Sequence, residues 1–169
     1  MKKKVLFADL DGTLITTISE RTFPLGIWDM KFRFNTLDAI KNYGFECLYI
    51  VSNQAGIENG FVDERHFTKG KMNYIQFALE EYLGIPVFYQ YCPVKTSHYR
   101  KPNIGMLENA CREIMGKLGI DARKSEMLMI GDASGLPGQF SDTDRKTAEN
   151  FCIAYMDVYD FTREFLPEQ

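Results

Sequence analysis

The sequence lacks several patterns that would place it in a specialised class. Its four cysteines are scattered, at Cys47, Cys92, Cys111 and Cys152, and no CxxC pair occurs, which argues against a disulfide framework or a cysteine-rich zinc site. No run of about 18 apolar residues occurs, so we expect no transmembrane helix. The apolar run after the basic start MKKK is too short for a secretory signal. We therefore expect free thiols in a cytoplasmic protein, or in a nuclear one if the host is a eukaryote.

A large excess of charge is also missing. The formal net charge is −3, so the chain has no global basic field of the kind that attracts nucleic acid. Any polyanionic substrate must therefore be held by local cations or by a metal. No internal repeat, low-complexity tract or linker divides the 169 residues, and we predict a single domain over residues 1–169.

What the sequence does contain is an alternation of short apolar runs with helical stretches. The runs that predict strands are Val5–Ala8, Cys47–Val51, Val87–Tyr91, Met127–Ile130 and Cys152–Tyr155. The stretches that predict helices are Thr36–Tyr43, Asp63–Leu83, Asn103–Leu118 and Asp142–Phe151. This order predicts a doubly wound, Rossmann-like α/β fold: a parallel sheet with helices on both faces and no large cap domain. Residues 15–33 and 133–141 are too irregular for long helices, and we expect both beyond strand ends, where ligands bind.

Two acids follow the first predicted strand in the segment DLDGTL. Asp9 comes at the carboxyl end of the strand, and Asp11 follows on a turn that Gly12 allows to bend sharply. Two carboxylates this close repel each other unless one is protonated or a cation lies between them. Mg²⁺, a hard cation that prefers oxygen ligands, fits best.

Three further strands are followed by polar residues suited to phosphoryl transfer. Ser52 and Asn53 follow the second strand, Lys101 follows the third within RKP, and Asp132 follows the fourth. We expect Pro102 at the first position of the next helix. A carboxylate can attack phosphorus directly, a second can protonate the leaving alkoxide, and fixed cations can balance the charge. The series therefore predicts a Mg²⁺-dependent phosphatase site.

The motifs DLDGTL, VSNQ, RKP and IGD resemble those of the haloacid-dehalogenase-type phosphohydrolases. The resemblance implies that Asp9 is the nucleophile, that Asp11 is the general acid and base, and that Lys101 stabilises an aspartyl-phosphate. It implies phosphate contacts from Thr13, Ser52 and Asn53. It also implies Mg²⁺ ligands from Asp9, the backbone carbonyl of Asp11, and Asp132, with Asp144 assisting from the outer part of the site.

A closer similarity is to the phosphatase domain of the polynucleotide kinase 3′-phosphatases. It rests on DLDGTLITT, TFP, Trp28, NQAGI, HYRKPNIGM, GDASG and FSDTDR, and it covers roughly Val5 to Phe165. It implies removal of a 3′-phosphate from a nucleic-acid end, DNA above all. Relatives carry a longer basic insert where this chain has only LPGQ. Candidate contacts to the nucleic-acid strand are Thr17, Arg21, Lys95, His98, Arg100 and Lys146, with Trp28 or Tyr99 stacking on a base.

Two alternatives stay open at this point. Small-molecule phosphatases acting on histidinol phosphate or heptose phosphates share DxDGT and RKP, but they commonly carry a zinc loop before RKP, where this chain has only Cys92 and His98. A non-catalytic binding domain is disfavoured by the intact acids and lysine. A kinase half is not expected in this chain, because Gly70-Lys71 lacks the rest of a P-loop.

Overall fold

The computed structural model describes residues 1–168 and shows alternating strands and helices. The strands are β1 (Val5–Ala8), β2 (Ile15–Thr17), β3 (Met30–Phe32), β4 (Cys47–Asn53), β5 (Val87–Cys92), β6 (Met127–Gly131) and β7 (Ala154–Asp157). The α-helices are α1 (Phe34–Tyr43), α2 (Ala55–Glu58), α3 (Asn73–Leu83), α4 (Gly105–Leu118), α5 (Thr143–Phe151) and α6 (Val158–Phe165). A π-helix over His66–Met72 leads directly into α3, and single 3₁₀ turns cover Ile27–Asp29 and Lys124–Glu126.

Five strands form one parallel sheet in the order β5-β4-β1-β6-β7. The central strand β1 is buried on both faces, as its unbroken apolar sequence requires. Leu6 and Ala8 face a core shared with α1, α3 and α6. Val5 and Phe7 face a second core shared with α4 and α5. The predicted doubly wound α/β fold, with helices on both faces, is confirmed.

The register of the central strands carries the polar strand ends to one edge. Ala8 pairs with Ile50 on one side and with Ile130 on the other. Asp9 and Gly131 come next on β1 and β6, and β4 continues beside β5 to Asn53, so the three strands end near one another. In such folds ligands bind in the crevice at the carboxyl ends of the strands, and this edge holds the candidate site.

Residues 15–33 form an antiparallel hairpin of β2 and β3, which the sequence analysis did not predict. Its two strands have only three residues each, too few to show an alternating pattern. The buried carboxylate of Asp29 holds the hairpin loop, because it accepts hydrogen bonds from the Ser19 amide and hydroxyl and from the Leu25 amide. Residues 133–141 form a loop, as predicted.

Several element boundaries differ from the prediction. The helix after RKP begins at Gly105 and not near Asn103, because residues 100–104 form turns, and the Lys101–Pro102 peptide bond is cis. The prediction that Pro102 opens this helix is therefore wrong. The last strand begins at Ala154, because Cys152 closes α5 in a left-handed conformation (φ 59°).

Two helical features were missed or only partly predicted. Helix α6 was not predicted; Asp157 caps it by accepting a hydrogen bond from the Tyr159 amide at 2.9 Å. The predicted helix over Asp63–Leu83 exists, and the Asp63 side chain accepts from the His66 amide at 2.8 Å as a cap does. Its first part, however, is the π-helix.

Candidate active site

A cleft of about 1090 Å³ lies at the carboxyl edge of the sheet. Six of the predicted site residues line it, namely Asp9, Asp11, Asn53, Arg100, Lys101 and Asp132. The other two, Thr13 and Ser52, are buried and do not form part of the cleft wall. The strand ends thus bring most of the predicted polar groups into one cavity.

Lys101 lies between two carboxylates at the bottom of the cleft. Its Nζ donates to Asp9 Oδ1 at 2.6 Å and to Asp144 Oδ1 at 2.7 Å. Burial alone lowers the pKa of Lys101, but the negative charges of Asp144 and Asp9 outweigh burial and hold that pKa above its ordinary value. The ammonium therefore stays charged next to the predicted nucleophile.

Asp144 does not lie in the outer part of the site, and that expectation is wrong. Asp144 lies in the first turn of α5 and is only 1% exposed. One carboxylate oxygen accepts from Lys101, and the other accepts from the Ala133 amide at 3.1 Å. A Cβ atom at residue 131 would lie 2.3 Å from Asp144 Oδ2. The absence of a side chain at Gly131 therefore allows α5 to approach the end of β6.

Asn53 fixes the backbone that carries Lys101. Its Oδ1 accepts from the Lys101 amide at 2.9 Å, and its Nδ2 donates to the Lys101 carbonyl at 3.0 Å. This reciprocal pair joins the end of β4 to the turns after β5. Asn53, predicted only as a phosphate contact, therefore also positions the lysine.

Asp11 is held by Gln54, which belongs to the VSNQ motif, and by Lys71, which the sequence analysis did not assign to the site. Gln54 Nε2 donates to Asp11 Oδ2 at 2.9 Å, and Lys71 Nζ lies 3.4 Å from Asp11 Oδ1. Burial raises the pKa of Asp11 above its ordinary value, and the charge of Asp9 adds to this, while Lys71 opposes it. Gln54 directly follows the predicted Ser52-Asn53 pair, so its place at the strand end was a usable signal. Lys71, on a distant helix, gave none.

Asp9, Asp132 and Asp144 form a group of carboxylates suited to a metal ion. One oxygen from each lies within 4.8 Å of the others. Asp132 Oδ1 is buried and has no hydrogen-bond partner among residues 1–168. Burial raises the pKa of Asp132, and the charges of Asp9 and Asp144 raise it further. Three carboxylates around one ammonium leave an excess of negative charge, and an all-oxygen donor set suits a hard divalent cation.

The turn after β1 depends on the absence of a side chain at residue 12. Gly12 has φ of +82°, and a Cβ there would lie 2.0 Å from Asp132 Oδ2. Arg33 Nη1 donates to the Gly12 carbonyl at 2.8 Å and holds the turn from the hairpin side. The close approach places Asp132 against the Asp9–Asp11 segment, where the predicted metal ligands lie.

Several exposed apolar side chains surround the mouth of the cleft. We call its exposed hydrophobic residues the rim, which consists of Phe23, Leu25, Ile27, Phe61, Val62 and Phe140. They come from the β2–β3 hairpin, the loop after α2 and the loop before α5. Phe61 is 84% exposed and Phe140 is 73% exposed. Exposed apolar groups clustered around a polar cavity commonly mark a binding surface.

Most of the residues predicted to contact a nucleic-acid strand lie away from the cleft wall. Lys95 Nζ donates to Asn59 Oδ1 at 2.7 Å, Lys146 Nζ pairs with Asp142 at 2.8 Å, and His98 Nε2 lies 3.4 Å from Glu108. Arg100 is different, because it lines the cleft and its Nη1 is buried without a hydrogen-bond partner in the described part of the chain. Thr17, Arg21, Trp28 and Tyr99 do not line the cleft.

No helix within residues 1–168 has the length and apolar character needed to cross a membrane.

Comparisons with known proteins agree with the geometry of the cleft. The sequence model of the family described as "Polynucleotide kinase 3 phosphatase" matches residues 4–161. A bifunctional polynucleotide phosphatase/kinase of Schizosaccharomyces pombe is 31% identical over 157 residues, which cover 90% of this chain and 36% of the relative. The chain thus spans about a third of the length of that relative.

Two heptose phosphatases are also similar. The D-glycero-beta-D-manno-heptose-1,7-bisphosphate 7-phosphatase of Haemophilus ducreyi is 29% identical over 152 residues, covering 78% of this chain and 74% of the relative. The crystal structure of the D,D-heptose 1,7-bisphosphate phosphatase from B. bronchiseptica, complexed with magnesium and phosphate, superposes with a TM-score of 0.67. It is 18% identical and covers 98% of this chain and 89% of its own, so this likeness concerns the fold.

Proposed function

This chain belongs to the polynucleotide kinase 3 phosphatase family, and we propose that it is a haloacid-dehalogenase-type phosphatase that removes the 3′-phosphate from nucleic-acid ends with Mg²⁺ as its metal. The observation that carries the substrate is the family match over residues 4–161, which takes in every motif of the site. We further propose that residues 1–169 act as a single phosphatase domain in the processing of damaged DNA ends.

The reaction proceeds in two displacements. An oxygen of Asp9 attacks the phosphorus, the bond between phosphorus and the 3′-oxygen breaks, and Asp11 gives its proton to the departing oxygen. Water then attacks the phosphorus of the aspartyl-phosphate while Asp11 takes up the proton of that water. Inorganic phosphate leaves and the Asp9 carboxylate is restored. The raised pKa of Asp11 supports its role as the acid.

Charge on the transferred group is balanced by a fixed ammonium and by the metal. Lys101, 2.6 Å from Asp9, supports the aspartyl-phosphate. The carboxylates of Asp9, Asp132 and Asp144 would hold Mg²⁺, together with the backbone carbonyl of Asp11. When bound, Mg²⁺ supplies positive charge that screens the phosphoryl oxygens from the carboxylates.

The remaining predicted residues complete the phosphate-binding part of the site. Thr13 Oγ1 and Arg100 Nη1 are buried without hydrogen-bond partners among residues 1–168, and such groups normally have one. A phosphate bound in the cleft would supply an acceptor for Arg100, which lines the cleft wall. Asn53 and Gln54 form the adjoining wall, and the buried Ser52 accepts a hydrogen bond from Gln54 at 2.7 Å.

A small-molecule phosphatase is the second candidate, favoured by the similarity to the heptose-1,7-bisphosphate 7-phosphatase of H. ducreyi. The zinc loop common in that group has no counterpart here. The Cys92 thiol is buried against the Val94 carbonyl, and His98 faces Glu108. Within the described residues, the carboxylates of Asp9, Asp132 and Asp144 are the one group arranged to hold a metal.

A phosphate-release panel tests the proposal. The substrates are matched oligonucleotides with a 3′-phosphate or a 5′-phosphate, histidinol phosphate and heptose 1,7-bisphosphate, each with Mg²⁺. We expect kcat/KM to be highest for the 3′-phosphorylated oligonucleotide. A higher value for histidinol phosphate or heptose bisphosphate would establish the second candidate in its place, and a preference for the 5′-phosphate would contradict the assignment of the leaving group.

A further inference from the structure

Lys71 is a largely buried cation in the cleft that the proposed mechanism does not use. Its side chain is only 14% exposed, and it lines the cleft beside the apolar wall. Its Nζ lies 3.4 Å from Asp11 Oδ1 and 5.6 Å from the centre of the Phe67 ring. It is carried by the π-helix His66–Met72, a rare conformation that occurs frequently at functional sites.

The ammonium of Lys71 has binding capacity left over. A lysine offers three N–H donors, and among residues 1–168 Asp11 is its one hydrogen-bond acceptor. The distance of 3.4 Å is long for a charge-assisted hydrogen bond. Asp11 is also held by Gln54 at 2.9 Å, so the lysine is not its sole support. Donors of Lys71 therefore remain available to a ligand in the cleft.

The two lysines of the cleft lie on different sides of the reacting group. Lys101 contacts Asp9, the nucleophile, and so serves the phosphoryl group that is transferred. Lys71 contacts Asp11, which must face the oxygen that departs. A cation on this second side is positioned to interact with the leaving alcohol and not with the transferred phosphate.

We infer that Lys71 binds a second phosphate carried by the leaving alcohol, so that the preferred substrates bear two phosphate groups on one sugar unit. The inference rests on the proposed phosphatase function. In a nucleic-acid 3′ end the second phosphate is the phosphodiester on the 5′ side of the terminal sugar. A sugar bisphosphate would offer the same chemistry, and the two sources are separated by the experiment below.

The test compares substrates that differ only in the second phosphate. One pair is thymidine 3′,5′-bisphosphate and thymidine 3′-phosphate, and the other is heptose 1,7-bisphosphate and heptose 7-phosphate. The wild-type protein is expected to favour the bisphosphate of one pair through a lower KM. In Lys71→Met that advantage should shrink by roughly tenfold or more, the usual effect of losing a hydrogen bond to a charged group, and the KM for the matching monophosphate should change much less.

Lys69→Met is the matched control, because Lys69 is exposed on the same π-helix and does not line the cleft. It should keep the wild-type preference. Lys71→Arg, which retains the charge, should keep part of it, and added salt should weaken the preference of the wild type.

Two results would overturn the inference. One is a wild-type protein with no preference for either bisphosphate. The other is a Lys71→Met variant whose KM rises by the same factor for the bisphosphate and the monophosphate of a pair. That result would mean that the lysine acts through Asp11 or through the fold. The failure of the proposed function is a separate outcome, seen when the thymidine substrates are poor and the heptose pair is good; the heptose pair then still tests Lys71.

Discussion

The floor and the rim of the cleft are made from different parts of the chain. The floor consists of Asp9, Lys101, Asp132 and Asp144, which follow the strands of the sheet or begin α5. Its ion pairs are buried, with N–O distances of 2.6 and 2.7 Å. The rim consists of exposed apolar side chains on a hairpin and two loops. The positions of the floor residues are thus fixed by the fold, whereas the rim residues can be substituted without breaking a buried ion pair.

This difference separates chemistry from substrate choice. Buried charges at 2.6–2.7 Å cannot move without leaving an unpaired charge, so the floor suits a reaction that needs a fixed geometry. Exposed phenylalanines make no such demand, and their place around the cleft suits contact with parts of a substrate beyond the phosphate. Changes in the floor should therefore abolish the reaction on every substrate, and changes in the rim should alter which substrates react well.

The largest effect is expected at the nucleophile. Asp9→Asn keeps the shape of the side chain but removes the attacking oxygen anion, so kcat should fall by roughly 10⁴-fold or more on every substrate. The measurement is phosphate release under single-turnover conditions, together with circular dichroism to show that the fold is retained. Activity near that of the wild type in a folded Asp9→Asn protein would refute the mechanism.

The second-largest effect is expected at the proposed metal site. Because Asp132 Oδ1 is buried without a partner in the described chain, Asp132→Ala should weaken Mg²⁺ binding by at least about 100-fold, since losing a direct ligand should cost no less than losing a residue that only supports one. Calorimetric titration with Mg²⁺ measures this without any substrate. Asp121→Ala, at an exposed acid that does not line the cleft, is the control. Unchanged Mg²⁺ affinity in Asp132→Ala, or full activity after treatment with a chelator, would contradict the assignment.

The floor was largely predictable from sequence because two of its acids directly follow apolar strands and its lysine lies in a short motif. Asp9 and Asp132 stand at strand exits, and parallel strands deliver their carboxyl ends to one edge. Lys101 lies beyond the end of β5 at Cys92, in turns, and was identified through the RKP motif. Asp144 was identified but misplaced, since its burial depends on how closely α5 approaches Gly131. That approach is a property of packing, which a local sequence pattern does not contain.

The rim and Lys71 were not predictable, for two physical reasons. Rim residues such as Phe61 and Phe140 lie in loops, where exposed apolar side chains have neither helical nor strand periodicity. Lys71 reaches Asp11 across 60 positions of sequence, from a π-helix whose geometry the residue spacing does not reveal. Helix α6 was missed because its cap, Asp157, is also the last residue of the short strand β7.

A smaller and more selective effect is expected at the rim. If rim aromatics stack on nucleobases, Phe140→Ser should lower kcat/KM for a 3′-phosphorylated oligonucleotide by roughly 5- to 150-fold, the range for loss of one base–aromatic contact. Hydrolysis of p-nitrophenyl phosphate should change much less. Phe77→Ser is the matched control, because Phe77 is similarly exposed but lies outside the cleft. Equal losses on both substrates would show that Phe140 supports the floor and not the nucleic acid.

The smallest effect is a pH dependence of stability that originates in the floor. Burial, with the neighbouring carboxylates, raises the pKa of Asp132 to about 7. The pKa of Asp144 rises to about 6, because burial outweighs the nearby Lys101. Both lie above the ordinary value of 3.8, so between about pH 5 and pH 7 the folded protein binds more protons than the unfolded chain.

The stability of the metal-free protein should therefore fall as the pH rises through this window. Mg²⁺ binds only the ionised carboxylates, so saturating Mg²⁺ should reverse the slope. Urea unfolding midpoints at pH 5, 6 and 7, with EDTA or with Mg²⁺, measure both slopes. Asp132→Asn should flatten the metal-free slope while Asp121→Asn leaves it unchanged. Because the rim contains no ionisable side chain, Phe140→Ser should shift all the midpoints together, and a change of slope in that variant would mean that rim and floor are coupled.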